Sequence, residues 1–400
     1  MPADALAPPL NWPDGLSAER FLRDYWQKQP LLLRGALPGF ESPLGADELA
    51  GLACDPDVES RLVRESGDPP WQVQQGPFAE DQLTGLPGHG WSLLVQDVDK
   101  HLPELAVIAD RFGFVPSWRF DDLMVSFAPP GGSVGAHVDA YDVFLLQGAG
   151  QRTWSIGPQP ERPLCHPEAQ LRVIDNFAPE EQWTLFPGDA LYLPPGVAHH
   201  GVAGENCITW SVGFRAPSHQ QLVAAAGLPA TRPPSDDALY ADPDLRLEEA
   251  APGLISPRAI DRANAIVARH CGGKAPPSMH WFGELVTQPK HWLRAGPGEV
   301  AGGPQELEAA LKGGDLLVRH GMTRLARSAD GQLLFVDGDT FAVAEAQAGL
   351  VTLVCTNREL DARALAPWLG QPEVMELVHT LVCRGALCLG SLENGPAASI

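Results

Sequence analysis

Short apolar runs separated by Gly and Pro fill the chain from about residue 17 to residue 215. Turn sequences such as Pro129-Pro130-Gly131-Gly132 and Gly148-Ala149-Gly150 lie between the runs. Short strands at close spacing with such turns are typical of an all-β barrel or sandwich. The strands that this pattern predicts are Leu123–Phe127, Val143–Gln147, Thr153–Ile156, Ala190–Leu193 and Ile208–Phe214.

Helical patterns replace the strand pattern on both sides of this region. Ser17 is a suitable N-cap for a helix over Ala18–Gln27. After Pro217, the segments His219–Gly227 and Ala259–His270 read as helices. From about residue 290, helices (Pro304–Leu311, Glu359–Trp368, Val374–Arg384) alternate with strands (Gln332–Val336, Thr340–Val343), which indicates a small α+β domain. We therefore expect three regions: 1–217, 218–290 and 291–400.

Composition adds limits to this picture. At 400 residues and 44% apolar content, the chain is long enough for two or three domains with a sizeable core. No apolar run approaches the roughly 18 residues of a membrane helix, and Met1–Pro13 lacks the pattern of a secretory signal. The seven cysteines include no Cys-x-x-Cys pair, which fits a reducing cytoplasm better than a disulfide framework.

The net charge of −22 bears on partners. A field of this sign repels nucleic acid and attracts basic molecules, although it also serves solubility alone. We therefore expect basic protein partners rather than direct nucleic-acid binding.

One group of residues has the composition of a metal site. In His137-Val138-Asp139, positions i and i+2 of a strand share a face, so both side chains can reach one ion. His199, which follows a strand and a Pro-Pro-Gly turn, is the candidate third ligand. Two imidazoles and one carboxylate on one side of an ion are the ligand set of non-heme Fe(II) oxygenases. A shift of one residue would select His200 instead, and only one of the two can face the ion.

The His-x-acid pair is weak evidence by itself. With 12 His and 50 acidic residues, two such pairs are close to chance, and the other is His166-Pro167-Glu168. The strand context favours His137, because His166 lies in a Pro-containing loop sequence.

Further polar residues strengthen the prediction. Arg152 lies on the strand that returns after the Gly148–Gly150 turn, where a guanidinium can bind a carboxylate in bidentate fashion. Asp122, Met124 and Ser126 alternate with apolar residues and so share one strand face. A carboxylate on a barrel face needs a partner, which points to a ligand, whereas a solvent-facing strand is the alternative.

Several segments resemble the JmjC-type ribosomal oxygenases, in particular the bacterial arginine hydroxylases of large-subunit ribosomal protein L-sixteen. The matching sequences are DDLMVSFAPPGGSVGAHVDAYDVFLLQGAGQRTWSIG at Asp121–Gly157, LYLPPGVAHHG at Leu191–Gly201 and WSVGFRAP at Trp210–Pro217. The resemblance is strong over about residues 17–217 and weaker by motif beyond them. It implies a double-stranded β-helix (cupin/JmjC) fold, followed by a helical dimerisation segment and a winged-helix-like domain.

The resemblance also implies roles for residues. Fe(II) would bind His137, Asp139 and His199, since the family's Pro-Pro-Gly-x-x-His spacing selects the first histidine of the doublet. Arg152, helped by Ser126, would hold the distal carboxylate of the cosubstrate 2-oxoglutarate, and O2 would complete the reaction.

A substrate arginine would lie near Asp122, Met124 and Tyr141, with the carboxylate on its guanidinium and the other two beside its apolar stem. The implied enzyme is a homodimeric, cytoplasmic dioxygenase that hydroxylates an arginine β-carbon of a basic ribosomal protein. Two alternatives are a JmjC-type demethylase and a non-catalytic metal-binding cupin.

Overall fold

The computed structural model describes residues 10–65, 71–158, 173–235, 238–298 and 302–390. The chain forms two compact units. The first, called here the β-rich unit, comprises Met1–Phe112, Phe120–Ala216 and Pro243–Arg246. The second, called the C-terminal unit, comprises Gly113–Arg119, Pro217–Asp242 and Leu247–Ile400.

Strands dominate the described part of the β-rich unit. In chain order they are β1 Leu31–Leu33, β2 Ser60–Glu65, β3 Trp71–Gln75, β4 Trp91–Val95, β5 Phe120–Ala128, β6 His137–Val138, β7 Asp142–Ala149, β8 Arg152–Gly157, β9 Glu181–Leu185, β10 Ala190–Leu193, β11 Ala198–Ala203 and β12 Cys207–Phe214. The helices are α1 Ala18–Asp24, α2 Ala46–Cys54, α3 Glu80–Thr84, α4 Val98–His101 and α5 Ala106–Asp110.

These strands form two antiparallel sheets. In the described chain, the larger sheet has eight strands in the order β1-β10-β7-β12-β5-β4-β2-β3, and the smaller has four in the order β6-β11-β8-β9. Their facing sides pack together through one apolar cluster, made of Val143, Leu145, Leu191 and Leu193 from the larger sheet and Trp154, Ile156 and Leu185 from the smaller. Period-2 alternation leaves the other residues of each strand for the outer faces.

Aromatic side chains cover the outer face of the larger sheet. Phe21 on α1 lies 4.8 Å, ring centroid to ring centroid, from Tyr192 and 5.4 Å from Phe144. Trp26, which follows α1, lies 5.8 Å from Phe214. Both Phe21 and Trp26 are fully buried. The N-terminal helix is therefore fixed by its apolar face against the outer side of the larger sheet.

The C-terminal unit combines helices with two small sheets. Its helices are α6 His219–Ala226, α7 Pro257–His270, α8 His280–Thr287, α9 Pro304–Gly313, α10 Ala348–Thr356, α11 Ala362–Leu365 and α12 Pro372–Cys383. Its strands are β13 Leu316–Arg319, β14 Leu325–Arg327, β15 Leu333–Val336, β16 Asp339–Ala342, β17 Glu359–Leu360 and β18 Leu387–Gly390, in sheets ordered β17-β13-β18 and β14-β15-β16. Leu307, Leu317, Leu350 and Val378 belong to a shared core.

Most predicted elements are present, with shifted ends. Ser17 caps α1 as predicted and accepts a hydrogen bond from the Arg20 backbone N–H. The predicted helix over Glu359–Trp368 is wrong in its first residues. Glu359–Leu360 pairs as β17 with β13, and Asp361 then caps the short helix α11 through the Ala364 N–H. The helical spacing of apolar residues runs through Glu359–Trp368, but strand pairing takes its first two residues and the Asp361 N-cap starts the helix only after them.

Two expectations about the whole chain can be compared with the described residues. No helix among them is long and apolar enough to span a bilayer. The six cysteines that lie within the described ranges are all free thiols. The division of the C-terminal half at residue 290 stays a prediction.

Candidate metal centre and cosubstrate pocket

Strand register brings two histidines together. The antiparallel pairing of β6 with β11 sets His137 directly opposite His199. Directly opposed residues project from the same face of a sheet. The two imidazole rings therefore lie side by side, with centroids 4.2 Å apart.

Asp139, just beyond β6, completes the cluster. Its Oδ1 lies 3.9 Å from His137 Nε2, and its Oδ2 lies 3.6 Å from His199 Nε2. Possible ligand atoms of the three residues all lie within 4.8 Å of one another. Within the described ranges, no other set of three His, Cys, Asp or Glu side chains meets this criterion. The donor set and its spacing fit a divalent ion with three open positions.

Hydrogen bonds orient both imidazoles toward the cluster. His137 Nδ1 lies 2.9 Å from the Gly135 carbonyl oxygen, and His199 Nδ1 lies 3.0 Å from that of Val197. Because a carbonyl oxygen only accepts, the geometry assigns the proton to Nδ1 and leaves each Nε2 lone pair for a metal. Burial and the neighbouring His137 lower the pKa of His199 to about 4, against the opposing effect of Asp139. His199 is therefore neutral near neutral pH, as a metal ligand must be.

The adjacent His200 faces the other way. Neighbouring strand residues project from opposite faces, and His200 Nε2 lies 3.0 Å from Ser133 Oγ instead. The strand register therefore places His199, and not His200, beside His137 and Asp139. The competing pair His166-Pro167-Glu168 lies outside the described residues.

Arg152 lies on the same sheet face as the histidines. Ile156 pairs with His199, and alternation along β8 gives Arg152, Trp154 and Ile156 a common side. Arg152 is 5% exposed, and its Nε and Nη2 have no hydrogen-bond partner among the described residues. Buried guanidinium N–H groups without hydrogen bonds are unfavourable unless a ligand satisfies them. The planar donors of Arg152 match a carboxylate, so the pocket fits 2-oxoglutarate.

Trp154 lies between Arg152 and the metal cluster. Its ring is 5.6 Å from Arg152 Cζ and 5.9 Å from the His199 ring, centroid to centroid. The indole Nε1 is buried and likewise has no hydrogen-bond partner within the described chain. Opposite Trp154 in the sheet is Gly201, where a Cβ would come within 2.6–2.8 Å of three ring carbons. The pocket wall therefore requires glycine at this position.

We expect Gly201→Ala to destabilise the protein by about 1–3 kcal/mol, because the added methyl must displace the Trp154 ring in a packed interior. Urea unfolding would measure the change. Gly88→Ala is the matched control, since a Cβ there meets nothing within 4 Å, and its effect should stay within about 0.5 kcal/mol. Equal unfolding midpoints for the two variants would contradict the packing described here.

Small polar residues continue the inner face of the larger sheet. Ser126 pairs with Thr209, and Thr209 pairs with Gln147 on its other side. All three are buried, and the Thr209 hydroxyl donates to Gln147 Oε1 over 3.3 Å. The predicted face of Asp122, Met124 and Ser126 is thus real and extends across two further strands.

Asp122 and Tyr141 lie at the other end of this face. Asp122 is buried, and its Oδ2 accepts a 3.3 Å hydrogen bond from the Asp97 backbone N–H. Gly213 makes room for the carboxylate, because a Cβ there would lie 3.2 Å from Asp122 Oδ1. Burial, and then the Asp139 and Asp122 carboxylates, raise the pKa of the Tyr141 hydroxyl. Burial here concerns the hydroxyl end, because the residue as a whole is 43% exposed.

Comparison with known proteins identifies the family. A model of the JmjC domain matches residues 107–222, and a model of the ROXA-like winged helix matches residues 278–388. The ribosomal protein uL16 3-hydroxylase of Escherichia coli (strain K12) is 36% identical over 376 residues, which cover 94% of this chain and 97% of that protein. This chain belongs to the JmjC-type ribosomal oxygenases. The predicted fold class, a JmjC cupin domain with a C-terminal winged helix, is confirmed.

Solved structures of this ribosomal oxygenase family agree. The X-ray structure of E. coli ycfD matches with a TM-score of 0.75 and 34% identity, over 96% of this chain and 100% of that one. The structure of YcfD in complex with cobalt and 2-oxoglutarate matches with a TM-score of 0.73 and 33% identity, over 95% and 99% of the two chains. A relative therefore binds cobalt together with 2-oxoglutarate.

Some residues of the ribosomal oxygenase pocket were not predicted. The same alternation that selected Asp122 and Ser126 would have found Thr209, because β12 is a continuous strand that pairs with β5. Trp154 and Gly201 gave no such signal, because their contact depends on cross-strand register.

Proposed function

We propose that this protein is an Fe(II)- and 2-oxoglutarate-dependent hydroxylase of an arginine in a large-subunit ribosomal protein. One observation carries the proposal. The cluster of His137, Asp139 and His199 shares a sheet face with a buried Arg152 whose Nε and Nη2 lack hydrogen bonds within the described chain. A metal-binding cupin without cosubstrate would have no use for such a guanidinium.

In this proposal His137 and His199 offer neutral Nε2 atoms and Asp139 its carboxylate to Fe(II). Arg152 binds the distal carboxylate of 2-oxoglutarate, with Ser126 beside it on the polar inner face. Trp154, which lies between them, supplies one wall and a further N–H donor. The apolar cluster around Val143 and Leu191 excludes water from the inner end of the pocket.

When bound, iron and 2-oxoglutarate supply the oxidising chemistry: dioxygen puts one oxygen atom into a substrate C–H bond and the other into succinate, with release of carbon dioxide. The chain's own contribution is orientation. Both imidazoles are oriented by backbone carbonyls, and the Asp139 carboxylate oxygens lie 3.9 and 3.6 Å from the two Nε2 atoms.

An arginine side chain suits the outer part of the site. Asp122 would pair with its guanidinium, because a carboxylate in a buried setting is a strong partner for that group. Met124, which packs against Val63, Trp71 and Leu94, would line the apolar stem together with the ring of Tyr141. A basic ribosomal loop also suits the net charge of −22.

Asp122→Asn is expected to raise the KM for the substrate protein by roughly 10- to 100-fold, because a charge-assisted hydrogen bond becomes a neutral one. Turnover of 2-oxoglutarate without substrate should persist, since Asp122 is assigned neither to the ion nor to the cosubstrate. Steady-state kinetics with purified ribosomal protein would measure both. Asp121→Asn removes the same charge from the opposite strand face and should change KM little, so equal effects of the two variants would refute a contact by Asp122.

The test of the function is intact-protein mass spectrometry. Purified large-subunit ribosomal proteins would be incubated in air with the enzyme, Fe(II) and 2-oxoglutarate, beside an otherwise identical His137→Ala reaction. We expect one basic protein to gain the mass of one oxygen atom at an arginine in the wild-type reaction alone. Release of formaldehyde without that gain would indicate demethylation. The absence of both products would contradict the proposal.

Three further features concern the oligomeric state, the winged helix and the cellular location. We infer that residues 218–290 mediate a homodimer, that the winged helix docks protein rather than DNA, and that the enzyme works in the cytoplasm with its ribosomal substrate. The acidic net charge supports a protein partner for the winged helix. Sedimentation of the full chain would test the dimer, since a monomeric mass at micromolar concentration would exclude it.

A further inference from the structure

The second histidine of the doublet contacts a different part of the fold from the first. His200 Nε2 lies 3.0 Å from Ser133 Oγ, and the ring stands edge-on to Phe177, 6.3 Å between centroids. Both contacts are on the outer face of the smaller sheet, where Phe177 packs with Ala136 and Ala198. His200 is therefore held in place and cannot join the metal cluster.

Ser133 connects this outer face to the metal site. It is 4% exposed and lies in the turn between β5 and β6. Its Oγ accepts a 3.0 Å hydrogen bond from the Gly135 backbone N–H. The Gly135 carbonyl in turn accepts the 2.9 Å hydrogen bond from His137 Nδ1. A continuous hydrogen-bonded path therefore runs from His200 through Ser133 and Gly135 to the ligand His137.

Gly135 has a backbone conformation and surroundings that suit only glycine. Its φ is +81°, which disfavours other residues, and an added Cβ would lie within 3.0 Å of Val173 and Trp71 side-chain atoms. The Ser133 hydroxyl, which accepts from the Gly135 N–H, holds this turn and with it the direction of the Gly135 carbonyl. That carbonyl decides the tautomer and ring orientation of His137.

We propose that His200 is a positioning residue for the metal centre and acts through Ser133 and the Gly135 carbonyl on His137. The inference rests on the proposed function, in that His137, Asp139 and His199 bind a divalent ion. It gives the His-His doublet two separate tasks: His199 contacts the ion, and His200 fixes the other histidine ligand from behind the sheet.

The test measures Mn(II) affinity of the full chain without cosubstrate, from the electron paramagnetic resonance signal of free Mn(II). Loss of a hydrogen-bonded group behind a ligand commonly weakens metal binding 10- to 100-fold. Because His200 acts two groups away, we expect His200→Phe to raise the Kd about 5- to 10-fold, and Ser133→Ala to do the same. The double variant should be no weaker than either single one, since both break one path. His200→Gln, whose amide can still bond Ser133, should recover most of the affinity.

Gln182→Ala is the matched control. Gln182 Nε2 donates over 3.0 Å to Ser155 Oγ, and Ser155 is the cross-strand neighbour of His200 on the same sheet face. This hydrogen bond has no connection to Gly135, so the variant should bind Mn(II) like the wild type. Melting temperatures of all variants would show whether each is folded.

The outcomes separate the two proposals. If the wild type bound Mn(II) and His137→Ala did not, while His200→Phe and Ser133→Ala matched the wild type, the positioning role would be wrong and the metal site would stand. If the single losses added in the double variant, the path through Ser133 would be wrong. If His200→Phe failed to fold, Ser133→Ala and His200→Gln would still decide the question. Failure of the wild type to bind Mn(II) would overturn the proposed function itself.

Discussion

His199→Ala should bind Mn(II) at least on the order of 100-fold more weakly than the wild type. Structural Zn(II) sites with four ligands gain about 10–16 kcal/mol of apparent binding free energy, or about 3 kcal/mol per ligand, and we take that share as the scale for one ligand here. The lost imidazole lies opposite His137 and 3.6 Å from the Asp139 carboxylate. The described residues place no fourth His, Cys, Asp or Glu in this cluster that could replace it. Turnover of 2-oxoglutarate should vanish at metal concentrations that saturate the wild type.

The doublet supplies the comparison for this prediction. His200→Ala removes the same side chain one position along β11, from the opposite face, and should cost only the 5- to 10-fold expected of a positioning residue. Titration of both variants with Mn(II), with melting curves to check folding, would measure the difference. A larger loss for His200→Ala than for His199→Ala would mean that the register of β6 and β11 is wrong.

Arg152→Met should change stability and function in opposite directions. Its Nε and Nη2 are buried without hydrogen-bond partners in the described chain, so the protein without cosubstrate bears their desolvation cost. Replacing the guanidinium by a methionine side chain should raise the free energy of unfolding by about 1 kcal/mol. The same change should raise the KM for 2-oxoglutarate by roughly 100-fold, because a bidentate charged contact is lost.

Two measurements check this pair of effects: urea unfolding of the cosubstrate-free protein, and kinetics over a range of 2-oxoglutarate concentrations. Arg152→Lys serves as the comparison, since it keeps the charge but loses the planar donor pair. Its KM should lie between those of the wild type and Arg152→Met. An unchanged KM for 2-oxoglutarate in Arg152→Met would show that the distal carboxylate does not bind Arg152.

The local sequence was sufficient to place most of the pocket. The alternation in β5 located Asp122, Met124 and Ser126 on one face, and the hairpin after Gly148–Gly150 placed Arg152 on the returning strand. Both signals, the period-2 alternation and the hairpin turn, involve residues close together in the chain, so the sequence alone reveals them. Family motifs then supplied the ligand set, which spacing alone left open.

Register and packing explain what remained out of reach. The motif spacing selected His199, but the geometric reason, the pairing of β11 with β6, is a contact between segments far apart in the chain. The Trp154–Gly201 contact and the link from Ser133 to His200 depend on the same kind of long-range pairing. Helical spacing at Glu359–Trp368 failed for a related reason, because pairing with β13 overrides it.

The most direct test is a crystal structure of the full chain with Mn(II) and 2-oxoglutarate, grown without oxygen, with anomalous scattering recorded at the manganese edge. We predict one anomalous peak within bonding distance of His137 Nε2, His199 Nε2 and an Asp139 carboxylate oxygen, and the distal carboxylate of 2-oxoglutarate on the Arg152 guanidinium. A peak coordinated by His200, or a cosubstrate that does not contact Arg152, would contradict the account.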